Sequence, residues 1–225
     1  ELTDMQRGVD IVYDAVKVGK YIRIMGDYDV DGVSSTYILY KGLTGLGAKC
    51  DKFIPHRITD GYGLHEPAIR DAYDAGVQVI LTCDNGIAAA GEIADARRRG
   101  MTVVLTDHHD VPFRDSENGR EWIIPCADAV INPKQQDCSY PNKNICGAVV
   151  AWKLIWALYE KTGIDKSEIL DFTELAAIAT VGDVMDLQGE NRIIVKHGLR
   201  RLSETTRPGL QALIRVNNLE RAEIT

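Results

Sequence analysis

The chain has 225 residues, 45% of them hydrophobic and 26% charged, the composition of a globular protein with one large domain or a domain and an appendage. No apolar run approaches the roughly 20 residues needed to cross a bilayer, and no secretory pattern is present, so no membrane association is expected. The formal net charge of −7 speaks against a uniformly basic surface for nucleic acid, but metal-binding carboxylates inflate a negative count and bound cations would reverse the local field.

Short β-branched runs alternate with longer helical stretches, the pattern of an α/β fold with a mostly parallel sheet. A strand is predicted over residues 21–25, then a helix from Gly32 to the stop signals Gly45 and Gly47. A second strand covers 49–54 and is halted by Pro55. A helix over 66–75 leads to a strand over 77–82, and a helix over 87–99 leads to a strand over 102–106. The polar stretch 110–128 reads as a long loop, and a fifth strand is predicted over 129–131, ahead of Asn132-Pro133. Residues 148–160 are almost wholly apolar and predict a buried helix, in which Trp152 and Trp156 serve packing. Further helices are predicted over 169–181, 193–202 and 209–216. The five cysteines, Cys50, Cys83, Cys126, Cys138 and Cys146, include no C-x-x-C pair. They support neither a disulfide framework nor a zinc ribbon and fit a reducing, cytoplasmic setting. The chain opens at Glu1 without a Met and stops in the charged run 220–223, so it is expected to be a piece of a longer protein.

Three polar clusters sit where predicted strands end: Asp27, Asp29 and Asp31 after the first, Asp84 after the third, and Asp107-His108-His109 after the fourth. One aspartate at a strand end is ordinarily a turn former or a helix cap, and Asp31 before Gly32 could be that alone. Three clusters at successive strand ends need more, because crowded carboxylates repel one another and lose water. Ligands of open parallel sheets bind beyond the carboxyl ends of the strands. With the strand order 2-1-3-4-5, these clusters line one crevice. Neighbouring strands lie about 4.8 Å apart and paired metals about 3.5–4 Å apart, so Asp84, on the middle strand, is placed to bridge two ions. An oxygen-rich set with one or two imidazoles suits Mn²⁺ or Mg²⁺ better than zinc. Two such ions would activate a bridging water and offset charge in the in-line displacement at a phosphate ester.

The segments GDYDVDGVSS (26–35), LTCDNGI (81–87), TDHH (106–109) and ATVGDVMDL (179–187) resemble the four motifs of the DHH phosphoesterases. PHRITDGYGL (55–64), INPKQQDCSYP (131–141) and ICGAVVAWKL (145–154) resemble segments of the RecJ branch of that family. The resemblance implies a core that degrades single-stranded DNA from its 5′ end to mononucleotides with two Mn²⁺ or Mg²⁺ ions. By motif, Asp29 would bind one metal and Asp31, His108 and Asp183 the other, with Asp84 bridging. Asp107 would orient the histidines, and His109 would face the scissile phosphate. Many members carry a His four residues before Asp29. Met25 stands there in this chain, and Asp27 would take its place as a ligand. The resemblance also implies a division into a DHH domain over 1–190 and a helical connector over 191–225 toward a missing C-terminal, DHHA1-like domain. Its partners would be single-stranded DNA, that domain, and single-strand-binding or helicase proteins.

Four further residues are candidates for the substrate. Arg57 could hold a phosphate oxygen or form a surface ion pair. Asn85 could touch the phosphate or cap the helix at Ile87. Ser34, near the opening of the first predicted helix, could meet an anion or serve as a cap. Tyr62, between Gly61 and Gly63, could stack on a base or sit in a plain flexible turn. Arg97, Arg98 and Arg99 read as solvated cations at a helix end. Two rival functions stay open: a DHH phosphodiesterase acting on short oligonucleotides, a nucleotide 3′-phosphate or cyclic dinucleotides, and a non-catalytic DHH scaffold.

Overall fold

A computed structural model describes residues 1–117, 119–219 and 224; the charged run 220–223, and with it most of the end of the predicted connector, lies outside the described residues. Five short parallel strands form the centre: β1 (Ile22–Met25), β2 (Cys50–Phe53), β3 (Val79–Thr82), β4 (Thr102–Thr106) and, after a hairpin of β5 (Phe113–Ser116) and β6 (Gly119–Trp122), β7 (Ala129–Ile131). The sheet order is β2-β1-β3-β4-β7, which is the predicted 2-1-3-4-5 with β7 as the fifth parallel strand. The register places Met25 beside Thr82 and Thr106 beside Ile131, so the strands end together along one rim.

β1 and β3 are buried at every position, because helices cover both faces. Side chains alternate between the two layers. Ile22, Ile24, Val79, Leu81, Val104 and Ile131 join a core with helices α1 (Met5–Lys17), α2 (Val30–Gly45) and α5 (Gly147–Thr162). Met25, Ile80, Val103, Leu105 and Val130 join the opposite layer, closed by α3 (Glu66–Asp74) and α4 (Ala90–Arg98). Each fully buried aliphatic side chain contributes about 1.5–3 kcal/mol. The exception in β1 is Arg23. It is nearly buried and its guanidinium is shared between Asp51 on β2 (2.7 Å) and Asp71 on α3 (2.5 Å).

Beyond the sheet, α6 (Lys166–Leu170), α7 (Thr173–Gly182), α8 (Gly189–Ser203) and α9 (Pro208–Val216) complete the chain. α8 lies on α7, with Gly198 against Ala177 and Thr173, where a Cβ would collide. Arg207 holds the start of α9 through Glu174 and the Tyr37 hydroxyl (2.8 Å).

Several predicted boundaries shift, each for a physical reason. α1 was not predicted. It presents Met5, Val9, Val12 and Ala15 to the core, and Gly8 lets it close on Ile131 of β7. The stretch 110–128 is not one loop, since it contains the exposed hairpin, pinned by edge packing of Phe113 on Trp122. The helix predicted over 169–181 is two, broken where Phe172 turns into the core. Trp152 Nε1 donates to the Ile169 carbonyl near that break (2.9 Å). α2 starts at Val30 rather than Gly32, because its cap is Asp29, whose Oδ1 accepts from Gly32 N (2.8 Å). α4 starts at Ala90 rather than 87, because Ile87 N donates to Asp107 Oδ2 (2.9 Å). Arg97 and Arg98 are exposed at the end of α4, and with Arg99 they form surface ion pairs to Asp128 and Asp95.

Candidate metal centre

The rim of the sheet carries the cluster, and each acidic side chain reaches it by a distinct local device. The segment after β1 folds tightly over the first turn of α2. A Cβ on Gly32 would lie 2.5 Å from the Asp27 carbonyl oxygen, so only glycine lets the two pack. Asp27 is thereby buried, with Oδ1 near Gly63 N (3.4 Å) and Oδ2 without a partner. Asp29 faces solvent at the cap. Asp31, in the first turn of α2, points the other way, into the N-terminus of α5. Its Oδ2 accepts from Gly147 N (2.6 Å) and its Oδ1 from Ala148 N (2.7 Å). The positive end of α5 thus fixes the Asp31 carboxylate in place.

Asp84 follows β3 with φ +60, in the left-handed region that side chains other than glycine seldom adopt. It is 1% exposed, and neither carboxylate oxygen has a hydrogen bond. Gly147 makes room for it, since a Cβ there would lie 2.8 Å from Asp84 Cβ and 2.9 Å from Oδ1. Asp107, after β4, is a socket. Oδ1 accepts from His108 N (2.7 Å) and His109 N (3.1 Å) and pairs with His109 Nδ1 (2.7 Å), while Oδ2 takes Ile87 N. Its hydrogen bonds hold the two residues that follow it. Asp183 caps α7, ahead of Val184, a β-branched residue at φ +56.

His108 is the centre of the assembly. Its Nε2 lies 3.1 Å from Asp84 Oδ1, 3.5 Å from Asp31 Oδ2 and 3.5 Å from Asp183 Oδ2. None of these approaches has hydrogen-bond geometry, so three carboxylates converge on one imidazole without pairing with it. Three groups of donor atoms lie within 4.8 Å of one another: Asp27, Asp29 and Asp84; Asp31, His108 and Asp183; and Asp84, His108 and His109. Asp84 belongs to two of the three.

The electrostatics are those of a cluster lacking positive charge. Burial, then the charges of Asp31 and Asp29, pushes the Asp84 carboxyl up to about 12. Burial also raises Asp27 and Asp183 and lowers His108, disfavouring charge in each. Asp107 is the exception, since its hydrogen bonds to His109 and the backbone outweigh burial and keep it below the usual carboxylate range. The same bond raises His109. Buried acceptors with no donor cost about 1–3 kcal/mol each. Asp27 Oδ2, both Asp84 oxygens, Asp183 Oδ2 and both His108 nitrogens are in that state. Hard divalent cations with oxygen and imidazole ligands would satisfy the carboxylate oxygens and the His108 nitrogen that faces them.

The structure therefore gathers Asp27, Asp29, Asp31, Asp84, Asp107, His108, His109 and Asp183, drawn from four separate stretches of chain. It does not bring in Ser34. That residue lies a full turn into α2, buried on the side facing α7 and α9. Asn85 does not cap α4. Its amide nitrogen donates to the Met25 and Cys83 carbonyls (3.2 Å each), and its buried Oδ1 has no partner. Arg57 is exposed at the mouth, without an ion pair among the described residues, and its guanidinium lies 5.4 Å from the Tyr28 ring. Met25 packs in the core and leaves its sequence neighbour but one, Asp27, to enter the cluster. Sequence reasoning missed Gly147 and the polar contacts of Tyr62. The Gly61-Tyr62-Gly63 run and the lone Gly147 opening the apolar stretch that follows were the available signals.

Comparison with known proteins agrees with this geometry. The model of the DHH family, N-terminal domain, matches residues 21–181. The chain is 41% identical over 217 residues to the single-stranded-DNA-specific exonuclease RecJ of Bacillus subtilis (strain 168), covering 96% of this chain and 26% of that protein. A crystal structure of exonuclease RecJ bound to manganese superposes with a TM-score of 0.86 at 33% identity, covering 100% of this chain and 55% of that one. RecJ from Thermus thermophilus in complex with Mn²⁺ gives a TM-score of 0.80 at 31% identity, covering 100% of this chain and 31% of that one. The chain thus spans about a quarter of the Bacillus subtilis protein it matches. On the strength of the motifs, the rim cluster and these matches, the chain belongs to the DHH family.

Proposed function

We propose that this chain is the catalytic core of a metal-dependent exonuclease that hydrolyses single-stranded DNA from its 5′ end and releases mononucleotides. The observation that carries the reading is the convergence of buried, unpartnered carboxylate and imidazole atoms on one rim. Asp27, Asp29 and Asp84 would hold one Mn²⁺ or Mg²⁺ ion, and Asp31, His108 and Asp183 the other, with Asp84 shared between them. When bound, such a pair supplies Lewis-acid polarisation of a phosphodiester and a nucleophile at neutral pH. The chain's own groups do the rest. The N-terminus of α5 fixes Asp31, and Gly147 leaves Asp84 its place. Asp107 locks the His109 ring through Nδ1 and raises its basicity, and the ring would face a phosphate oxygen. Arg57, with Tyr28, would meet the strand at the mouth.

The polarity of digestion, the cytoplasmic setting and the single-strand-binding or helicase partners rest on the resemblance to RecJ. So do the division into a domain over 1–190 and a connector over 191–225 and the further C-terminal domain beyond it. Asp84→Ala should abolish Mn²⁺-dependent release of mononucleotides from a 5′-labelled single strand. Turnover of dinucleotides with no digestion of long strands would favour the small-substrate rival. No Mn²⁺ uptake in calorimetry would favour the scaffold.

A further inference from the structure

β4 and β7 pair as far as Thr106 and Ile131, and one more bond, Asp107 N to the Ile131 carbonyl oxygen (3.1 Å), ends the ladder. His109 lies beyond that bond, where the chain has left the sheet. Its backbone is still held on both sides. Its N–H donates to Asp107 Oδ1 (3.1 Å), and its carbonyl oxygen accepts from Nδ2 of Asn132 (3.0 Å), the residue that follows β7. Among the described residues no other donor reaches that carbonyl. Asn132 is fully buried, and both ends of its amide are used. Oδ1 accepts from Lys134 N (2.8 Å), which folds the chain back over Pro133 and leaves Nδ2 aimed at His109. Lys134 carries the tie one residue further, through an ion pair to Asp110 (3.0 Å). The His109 ring itself is half exposed. The Tyr62 hydroxyl stands over its face, 3.2 and 3.0 Å from the two nitrogens, and donates to the Asp84 carbonyl oxygen (3.3 Å).

We infer that Asn132 is a positioning residue: by holding the His109 carbonyl it aims the His109 side chain at the substrate phosphate, which rests on the reading of the site as a phosphodiesterase centre. Each residue has two soft backbone dihedrals. With only its N–H held, His109 could still turn its carbonyl and carry the rest of the residue with it. With the carbonyl held as well, both dihedrals are set, and the direction of Cα–Cβ with them. The position calls for one short side chain that donates to a carbonyl and accepts from an N–H at the same time. An amide does both, and a carboxylate only accepts. Asn132 touches neither the carboxylates of the cluster nor His108, so its effect passes through His109 and not through the metal ligands.

The test is a double-mutant cycle on Mn²⁺-dependent digestion of single-stranded DNA at about pH 8, where an aspartate is ionised. Asn132→Asp keeps the shape and the acceptor for Lys134 N but offers His109 no donor, and Asn132→Ala removes both bonds. Each should lower kcat roughly 10–100-fold, with KM and the calorimetric Mn²⁺ affinity within about twofold of wild type. In a His109→Ala background neither should lower turnover further. A second readout separates aim from loss of fold. With ring-labelled histidine and Mg²⁺, the His109 signal should shift or broaden in Asn132→Asp, while those of His56, His65 and His197 stay in place. Turnover within about twofold of wild type in both variants, an equal loss without His109, a parallel loss of Mn²⁺ affinity, or an unmoved His109 signal overturns the inference. If the wild-type chain digests single-stranded DNA and the variants match it, the inference falls and the nuclease reading stands. If the wild-type chain hydrolyses no phosphodiester, both fall.

Discussion

Asp84→Asn should make the metal-free protein more stable while removing its response to metal. The variant keeps the shape of the side chain and deletes a charge that has no partner. The Asp84 carboxyl is pushed from 3.8 up to about 12 by burial and by Asp31 and Asp29, so the folded state binds its proton more tightly than the unfolded state. The sign follows from linkage. Stability tied to this group is complete below 3.8 and is lost progressively as pH rises toward 12. At ~1.4 kcal/mol per pH unit, the ceiling near pH 8 is about 6 kcal/mol. Water reaches the cluster through exposed Asp29 and half-exposed His109. Screening should leave about 2–3 kcal/mol, a rise in Tm of roughly 5–10 °C for a chain of this size. The assay is thermal unfolding in EDTA and in Mn²⁺ at about pH 4 and pH 8. Wild type and variant should coincide near the lower pH without metal. At the higher pH the variant should be the more stable in EDTA, and Mn²⁺ should raise the wild type alone. A variant less stable than wild type in EDTA near pH 8, or equal Mn²⁺ stabilisation of both, would refute the reasoning.

Gly147→Ala should cut Mn²⁺-dependent turnover by about 10–100-fold, the range for groups that orient metal ligands, because the added Cβ meets Asp84 Cβ and Cα at 2.8 and 3.0 Å; turnover within twofold of wild type would contradict it. His109→Ala should lower turnover on single-stranded DNA while leaving the calorimetric Mn²⁺ affinity nearly intact, and an affinity loss matching that of Asp84→Ala would contradict the split of roles. Val184 is 87% exposed at φ +56, so Val184→Gly gives up little packing and relieves backbone strain. Urea unfolding should show a gain of about 1 kcal/mol, and a loss would show that the strain is absent.

The sheet was legible because its strands are short apolar runs, and the order 2-1-3-4-5 was the one that lets the clusters line one crevice. The acidic cluster was legible for the same reason. Asp84 and Asp107 follow strands buried on both faces, where a carboxylate needs a purpose. Helix α1 was missed although Met5, Val9 and Val12 recur at helical spacing. Its cap gives no sequence signal, because the side chain of Asp4 turns to Val130 N (2.9 Å) instead of to its own helix. The hairpin was missed because its strands carry Arg114, Asp115, Arg120 and Glu121, with no apolar alternation to mark them. Gly147 and Tyr62 lay beyond sequence reasoning because their roles are close approaches across the fold. Gly147 touches a residue 63 positions away, and Tyr62 one 47 positions away. Ser34 was misplaced because helix register decides where a short polar side chain points, and of the two roles weighed for Asn85 the cap is excluded because α4 starts further on.

The most direct test is anomalous diffraction from a crystal of the chain soaked in Mn²⁺. The account predicts two manganese peaks on the strand rim, one held by Asp27, Asp29 and Asp84 and the other by Asp31, His108 and Asp183, with Asp84 in contact with both. Manganese bound away from these side chains, or a single peak that leaves Asp31, His108 and Asp183 without an ion, would contradict it.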